Sequence, residues 1–201
     1  MPLRRTPLAA VVVLALGLSA CGSAAPAPAP TTPAVTPIPG ASSSLAPGTV
    51  VSGERVFSDL ARDHVDTPVT YPQSPPVGGP HSPVWAACDG RVYDRALANE
   101  NAVHSLEHGA VWITWRPGLD PAQVELLHGL IEGTSYRLGS PYPGLEAPVT
   151  VTAWGHQMDA DRADDPRIAT FVAAYTNGPQ TPEPGAPCTD PTGAMPDVHS
   201  S

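Results

Sequence analysis

From Ala110 to Trp115 the chain alternates Trp with β-branched residues, a strand-like pattern that predicts a buried strand. Just before it, residues 97–108 predict a short helix of polar character. Asn99 and Glu100 stand near its start, where an acceptor or a negative charge is favourable. Gly109 is placed to stop it, because glycine takes the left-handed conformation without a Cβ clash. Asp120-Pro121 predicts a second helix start, a capping carboxylate followed by proline in the first turn. Val124, Leu127 and Ile131 recur at helical spacing behind it, and Gly133 ends the element. Asp165-Pro166 repeats the device, with Ile168, Phe171, Val172 and Tyr175 as the apolar stripe and Asn177-Gly178 as the stop.

Two further strands are predicted at residues 135–138 and 149–154, separated by a Pro/Gly turn between Pro141 and Pro148. Residues 90–93 read as a short strand or turn. Residues 65–71 read as extended, with Pro68 and Pro72 confining them to an edge or loop. Residues 74–83 form a loop of Pro and Gly that carries His81. Residues 54–62 do not decide between helix and strand. The order strand, helix, strand, helix, strand, strand, helix predicts an α+β fold: a single domain over about residues 50–188, with helices packed on a mostly antiparallel sheet.

The segment ahead of this domain has another character. Arg4 and Arg5 precede an apolar run from Leu8 to Leu18, which is the layout of a signal peptide and is too short for a membrane span. Leu18-Ser19-Ala20-Cys21 resembles a bacterial lipobox. That resemblance implies residues 1–20 as a lipoprotein signal peptide, cleavage before Cys21, lipid on its thiol, and a protein held at the extracytoplasmic face of the cell membrane. Residues 21–49 are Ala, Pro, Ser and Thr without charge; they cannot bury a core and predict a disordered tether. Residues 189–201, including His199, predict a disordered tail.

Outside the cytoplasm, the two cysteines left after lipidation, Cys88 and Cys188, are most simply one disulfide. The competing reading, two free thiols on a metal, lacks a CxxC spacing. Formal charge is −9, and Arg4 and Arg5 leave with the leader, so the mature chain is more acidic still. Such a surface argues against nucleic acid and against anionic lipid headgroups as partners. The membrane partner is reached through the lipid alone.

The densest chemistry is His104-Ser105-Leu106-Glu107-His108. Two histidines four apart share one helix face. Glu107 is either a further ligand or a partner that orients an imidazole. His81, on its rigid loop, is the best third histidine, with His64 and Tyr71 flanking that loop. Three neutral imidazoles suit zinc, copper, nickel or iron and do not select magnesium or calcium. In an extracytoplasmic chain, copper or zinc is the expected ion.

The competing reading is a structural polar network at the helix–strand junction. For His64 the expectation is a hydrogen bond to a loop carbonyl. For His128 it is a half-buried or surface position. Trp112, Trp115 and Trp154 are read as core, and Trp85 with Tyr71 as walls of a pocket. His156 and Met158 make a weaker soft-metal pair. His-x-x-Glu-His also matches a metalloprotease pattern with Glu107 as base, but Gly109 cuts the helix short and no later helix offers the carboxylate such enzymes need.

The residues that recur across these readings run through the chain: His64, Tyr71, Pro75-Pro76, Gly79-Pro80-His81, Gly90, Tyr93, Glu100 and Val103 to Gly109. Further on come Ala153-Trp154-Gly155, Phe171, Tyr175 and Gly178-Pro179. Together they resemble domain-of-unknown-function family 3105. The resemblance spans about residues 64–184, and its most specific part is Val-His-Ser-Leu-Glu-His-Gly. It implies a bacterial protein, often actinobacterial, secreted or membrane-anchored, and it implies no activity. The chemistry therefore gives a metal-binding, non-catalytic role through His81, His104, His108 and Glu107. A metal-dependent hydrolase and an envelope interaction module without metal are the alternatives.

Overall fold

The alternation at residues 110–115 forms the interior of a sheet. The structure, a computed structural model, describes residues 50–189. The predicted leader, Cys21, the tether, and the tail from residue 190 with His199 lie outside the described residues. The strands are β1 (Glu54–Val56), β2 (Asp89–Val92), β3 (Val111–Trp115), β4 (Arg137–Pro141), β5 (Val149–Ala153) and β6 (His156–Ala160). The helices are α1 (Asn99–Glu107), α2 (Pro121–Ile131) and α3 (Pro166–Tyr175). All six strands join one sheet in the order β1-β6-β5-β3-β4-β2. The pairings β1–β6, β6–β5 and β5–β3 are antiparallel, while β3–β4 and β4–β2 are parallel. The expected α+β class and mostly antiparallel sheet hold, with a parallel edge that follows from the crossover through α2.

Strand β3 separates the two halves of the core. Val111, Ile113 and Trp115 pack with Leu127 and Ile131 of α2 and with Ile168, Phe171 and Val172 of α3. Trp112 faces the other way, into a cluster with Val103 and Leu106 of α1, Leu138 and Trp154. The helices therefore cover both faces of the sheet. The two predicted caps are formed: Asp120 Oδ1 accepts from the Ala122 amide at 2.9 Å, and Asp165 Oδ1 accepts from the Arg167 amide at 2.9 Å.

Three local expectations change. Strand β6 was not legible, because His156-Gln157-Met158-Asp159-Ala160 looks polar. Its Gln157 is buried and satisfied, donating to Pro75 O at 2.8 Å and to Thr152 Oγ1 at 3.1 Å. Strand β4 starts later than residue 135 and runs into the expected turn, because Tyr136 sits at φ 61° and closes the preceding loop. Of the undecided residues 54–62, only β1 is regular.

Helix α1 carries the chemistry, and its ends explain its placement. At its C-terminus Gly109 takes φ 102°. The Gly109 amide donates to Leu106 O and the Ala110 amide to Ser105 O, both at 3.0 Å, a Schellman closure that turns the chain straight into β3. Cys88 and Cys188 form the expected disulfide, closing a sequence separation of 100 residues.

Candidate metal centre

One face of α1 is apolar and lies on the sheet through Ala102, Val103 and Leu106. Another buried face is polar, which explains the weak hydrophobic signal of this helix in the sequence. Its side chains satisfy a passing segment that has no regular structure. Asn101 Nδ2 donates to Val84 O at 2.6 Å, His104 Nδ1 to Ser82 O at 2.7 Å, and Ser105 Oγ to Ala86 O at 2.6 Å. Of these acceptors the Ala86 carbonyl is buried and would otherwise lack a donor. His108 Nδ1 does the same for Pro187 O at 2.7 Å, on the arm that the disulfide holds.

The Pro/Gly loop is equally fixed. Its Val77 carbonyl accepts from the Gly155 amide at 2.8 Å, and Tyr71 donates its phenol proton to Pro80 O at 2.6 Å. Burial, helped by the Glu100 charge, raises the Tyr71 pKa, so the phenol stays a donor. His81 sits at the end of this loop with no exposed surface. Its Nδ1 donates to Gly79 O at 2.8 Å, and its Nε2 lies 2.9 Å from Glu107 Oε2. A parallel bridge joins His64 to His81: the Val65 amide donates to His81 O at 2.7 Å and the His81 amide to Asp63 O at 2.9 Å. The bridge carries His64 to the same carboxylate, its Nε2 3.7 Å from Glu107 Oε2.

Four side chains therefore converge: His64, His81, His104 and Glu107 each offer a ligand atom, all within 4.8 Å of one another. Three of the expected group, His81, His104 and Glu107, are in this set. His64 joins them in place of the loop hydrogen bond expected for it. His108 is not among the four; its ring lies edge-on to His104, centroids 4.5 Å apart, and its Nε2 faces Glu183 at 3.8 Å. Trp85 covers both of these imidazoles, with centroids 5.4 Å from His104 and 4.9 Å from His108, and Trp154 stands 6.0 Å from His81.

The other two described histidines, His128 and His156, are elsewhere. His128 is half-buried on α2, as expected, and pairs with Glu132 at 3.8 Å. His156 is held by Glu54 and stacks on Tyr175 at 4.4 Å, while Met158 is fully buried in the core. The sequence placed His64 beside the His81 loop but not in the group, because its position depends on a two-residue ladder between segments with no strand pattern.

Burial pushes the His104 imidazole down from 6.5 to about 4, against the opposing hydrogen bond to Ser82, and the neighbouring histidines push the same way. Burial also lowers His108. Both rings are neutral near pH 7, so each keeps a lone pair on Nε2. With ions removed by a chelator, the unfolded chain takes up these protons near pH 6.5, while the folded chain resists them. Folding stability is therefore expected to be complete above about pH 6.5 and to fall as pH drops toward about 4. Urea unfolding across that range checks it; flat or rising stability on acidification contradicts the assignment.

A family described as "Protein of unknown function (DUF3105)" matches residues 64–190, a stretch that begins at His64 and includes all four converging side chains. No curated protein and no solved structure matches the chain.

Proposed function

The chain belongs to the DUF3105 family, whose description assigns no activity, and from its own side chains we propose that it binds a transition-metal ion through His64, His81, His104 and Glu107. The ion is zinc or copper, the two that suit imidazole with one carboxylate outside the cytoplasm. In the same proposal the protein is lipidated at Cys21, held at the extracytoplasmic face of the membrane, and handles the ion without catalysis.

One observation carries this reading. Both ring nitrogens of His81 face oxygens: Gly79 O, which only accepts, and the Glu107 carboxylate. A neutral imidazole has one proton for the two. The Gly79 hydrogen bond places that proton on Nδ1, leaving a lone pair on Nε2 beside an anion. A cation between Nε2 and Glu107 satisfies both. His104, fixed by Ser82 in the same way, presents its lone pair on Nε2. This is the pattern in which a carbonyl sets the tautomer and orientation of a metal-ligating ring. A zinc–nitrogen bond of about 2.0–2.1 Å in tetrahedral geometry puts ligand atoms roughly 3.3 Å apart, so the widest separations, up to 4.8 Å, close inward on binding while the 2.9 Å His81–Glu107 pair opens slightly. His64, half-exposed, is the one free to make most of that movement.

A second reading follows from the same contact. If His81 carries two protons, the pair is a buried imidazolium–carboxylate and the cluster is a structural network. The hydrolase reading has less support. It needs His104 and His108 on one ion with Glu107 free to activate water, whereas Glu107 is engaged with His81 and His108 is turned to Glu183.

Equilibrium dialysis of the purified full chain against zinc and against copper, followed by elemental analysis, separates the readings. Wild type is expected to retain a tightly held ion and His104→Ala to lose it. A thermal melt should show ion-dependent stabilisation in wild type only. Negligible retention of both metals by wild type and variant alike removes the proposal and leaves the structural network.

A further inference from the structure

His108, the predicted ligand that the four-residue centre leaves out, has a setting of its own. Residues 177–189 run along the C-terminal end of α1 as an arm. The Asn177 amide donates to Gly109 O at 2.8 Å, the Glu183 amide to Glu107 O at 3.1 Å, and the Cys88 amide to Cys188 O at 2.7 Å. The Pro187 carbonyl, next to the disulfide, accepts a hydrogen bond from His108 Nδ1 at 2.7 Å. That leaves the Nε2 lone pair, and what stands across from it is the Glu183 carboxylate at 3.8 Å. Two acceptors face each other across a gap that suits an ion coordinated by both at about 2.0–2.2 Å. The His108 side chain is 4% exposed and that of Glu183 51% exposed, so this position opens to solvent on the carboxylate side. On its inner side the His108 ring touches His104 of the four-residue centre.

We propose that His108 Nε2 and the Glu183 carboxylate form a second, solvent-facing position for a zinc or copper ion, from which ions exchange with the buried centre. The chemistry is ligand substitution alone. Waters leave the hydrated ion as Nε2 and the carboxylate bind, and its remaining waters complete the coordination. Moving inward, the ion trades Glu183 for His104 without ever being bare, and a bare ion in a protein interior carries a desolvation cost too large for passage. With two protein ligands against four, the outer position binds more weakly. The exchange route rests on the four-residue centre proposed above, while the outer position itself is made of His108 and Glu183.

Zinc titration of the full chain, read as ions bound per chain, tests both at once. Wild type is expected to bind in two steps, the second weaker by at least about tenfold, since changing even a partner that only orients a ligand alters affinity on that scale. Glu183→Gln should remove the weak step and keep the tight one. Glu183 is half-exposed and its arm contact is made by the backbone amide, so the variant keeps the fold. Glu107→Gln should do the reverse. Glu132→Gln, which breaks a His–Glu pair of the same 3.8 Å separation on α2, should change neither step. Its His128 has no carbonyl fixing the ring among the described contacts. The inference is overturned if wild type binds in one step, if Glu183→Gln keeps both steps, or if Glu132→Gln abolishes the weak one. If Glu107→Gln keeps both steps while Glu183→Gln loses one, the four-residue reading fails and the outer position stands.

Discussion

Replacing His81 by alanine is expected to abolish tight ion binding and to destabilise the metal-free protein by roughly 1–3 kcal/mol, the range for leaving a buried polar group without its partner. The cause is what stays behind. Glu107 is 2% exposed, and its Oε2 loses its 2.9 Å partner and keeps only His64 at 3.7 Å. The Gly79 carbonyl loses its donor as well. Glu107→Ala should also destabilise, because the fully buried His81 ring then loses its 2.9 Å contact and stands beside a cavity. The double variant should cost less than the two single changes together, by about 0.5–3 kcal/mol, since each single change strands a group that the other removes. Urea unfolding in the presence of a chelator measures all three. Strict additivity would mean that His81 and Glu107 do not act as a pair.

Removing the disulfide with Cys88→Ala and Cys188→Ala is the second large effect, about 2–5 kcal/mol. The bond closes a separation of 100 residues, and losing it frees the unfolded chain of that constraint. It also loosens the arm at the point where Pro187 holds His108 and where the Trp85 indole donates to Thr189 O at 2.9 Å. Limited proteolysis should therefore open new cleavage within residues 177–189 in the variant, with the sheet intact. An unchanged urea midpoint together with an unchanged digest would show that the arm is held by its other contacts alone, among them Asn177 to Gly109 and Tyr136 to Ala186.

What could be read along the chain was whatever a local pattern dictates. Asp120-Pro121 and Asp165-Pro166 start helices because a carboxylate beside the first free amides and a preset φ act over three residues. Gly109 ends α1 for an equally local reason. The alternation of β3 is visible because both halves of the core need it. Strand β6 stayed hidden because Gln157 and Asp159 are satisfied by distant partners, Pro75 and Arg55 among them, so their polarity says nothing about burial.

The candidate centre divides along the same line. That His104, Glu107 and His108 are close together follows from helical periodicity, and their metal-capable chemistry is written in the residue types. Which of them converge was decided in three dimensions. A two-residue bridge brings His64 to His81, and the carbonyls of Ser82 and Pro187 set the two helix imidazoles toward different carboxylates, Glu107 and Glu183. The physical reason is that a ring's free nitrogen points away from wherever its proton is bound, and the oxygens that bind it come from backbone remote in sequence.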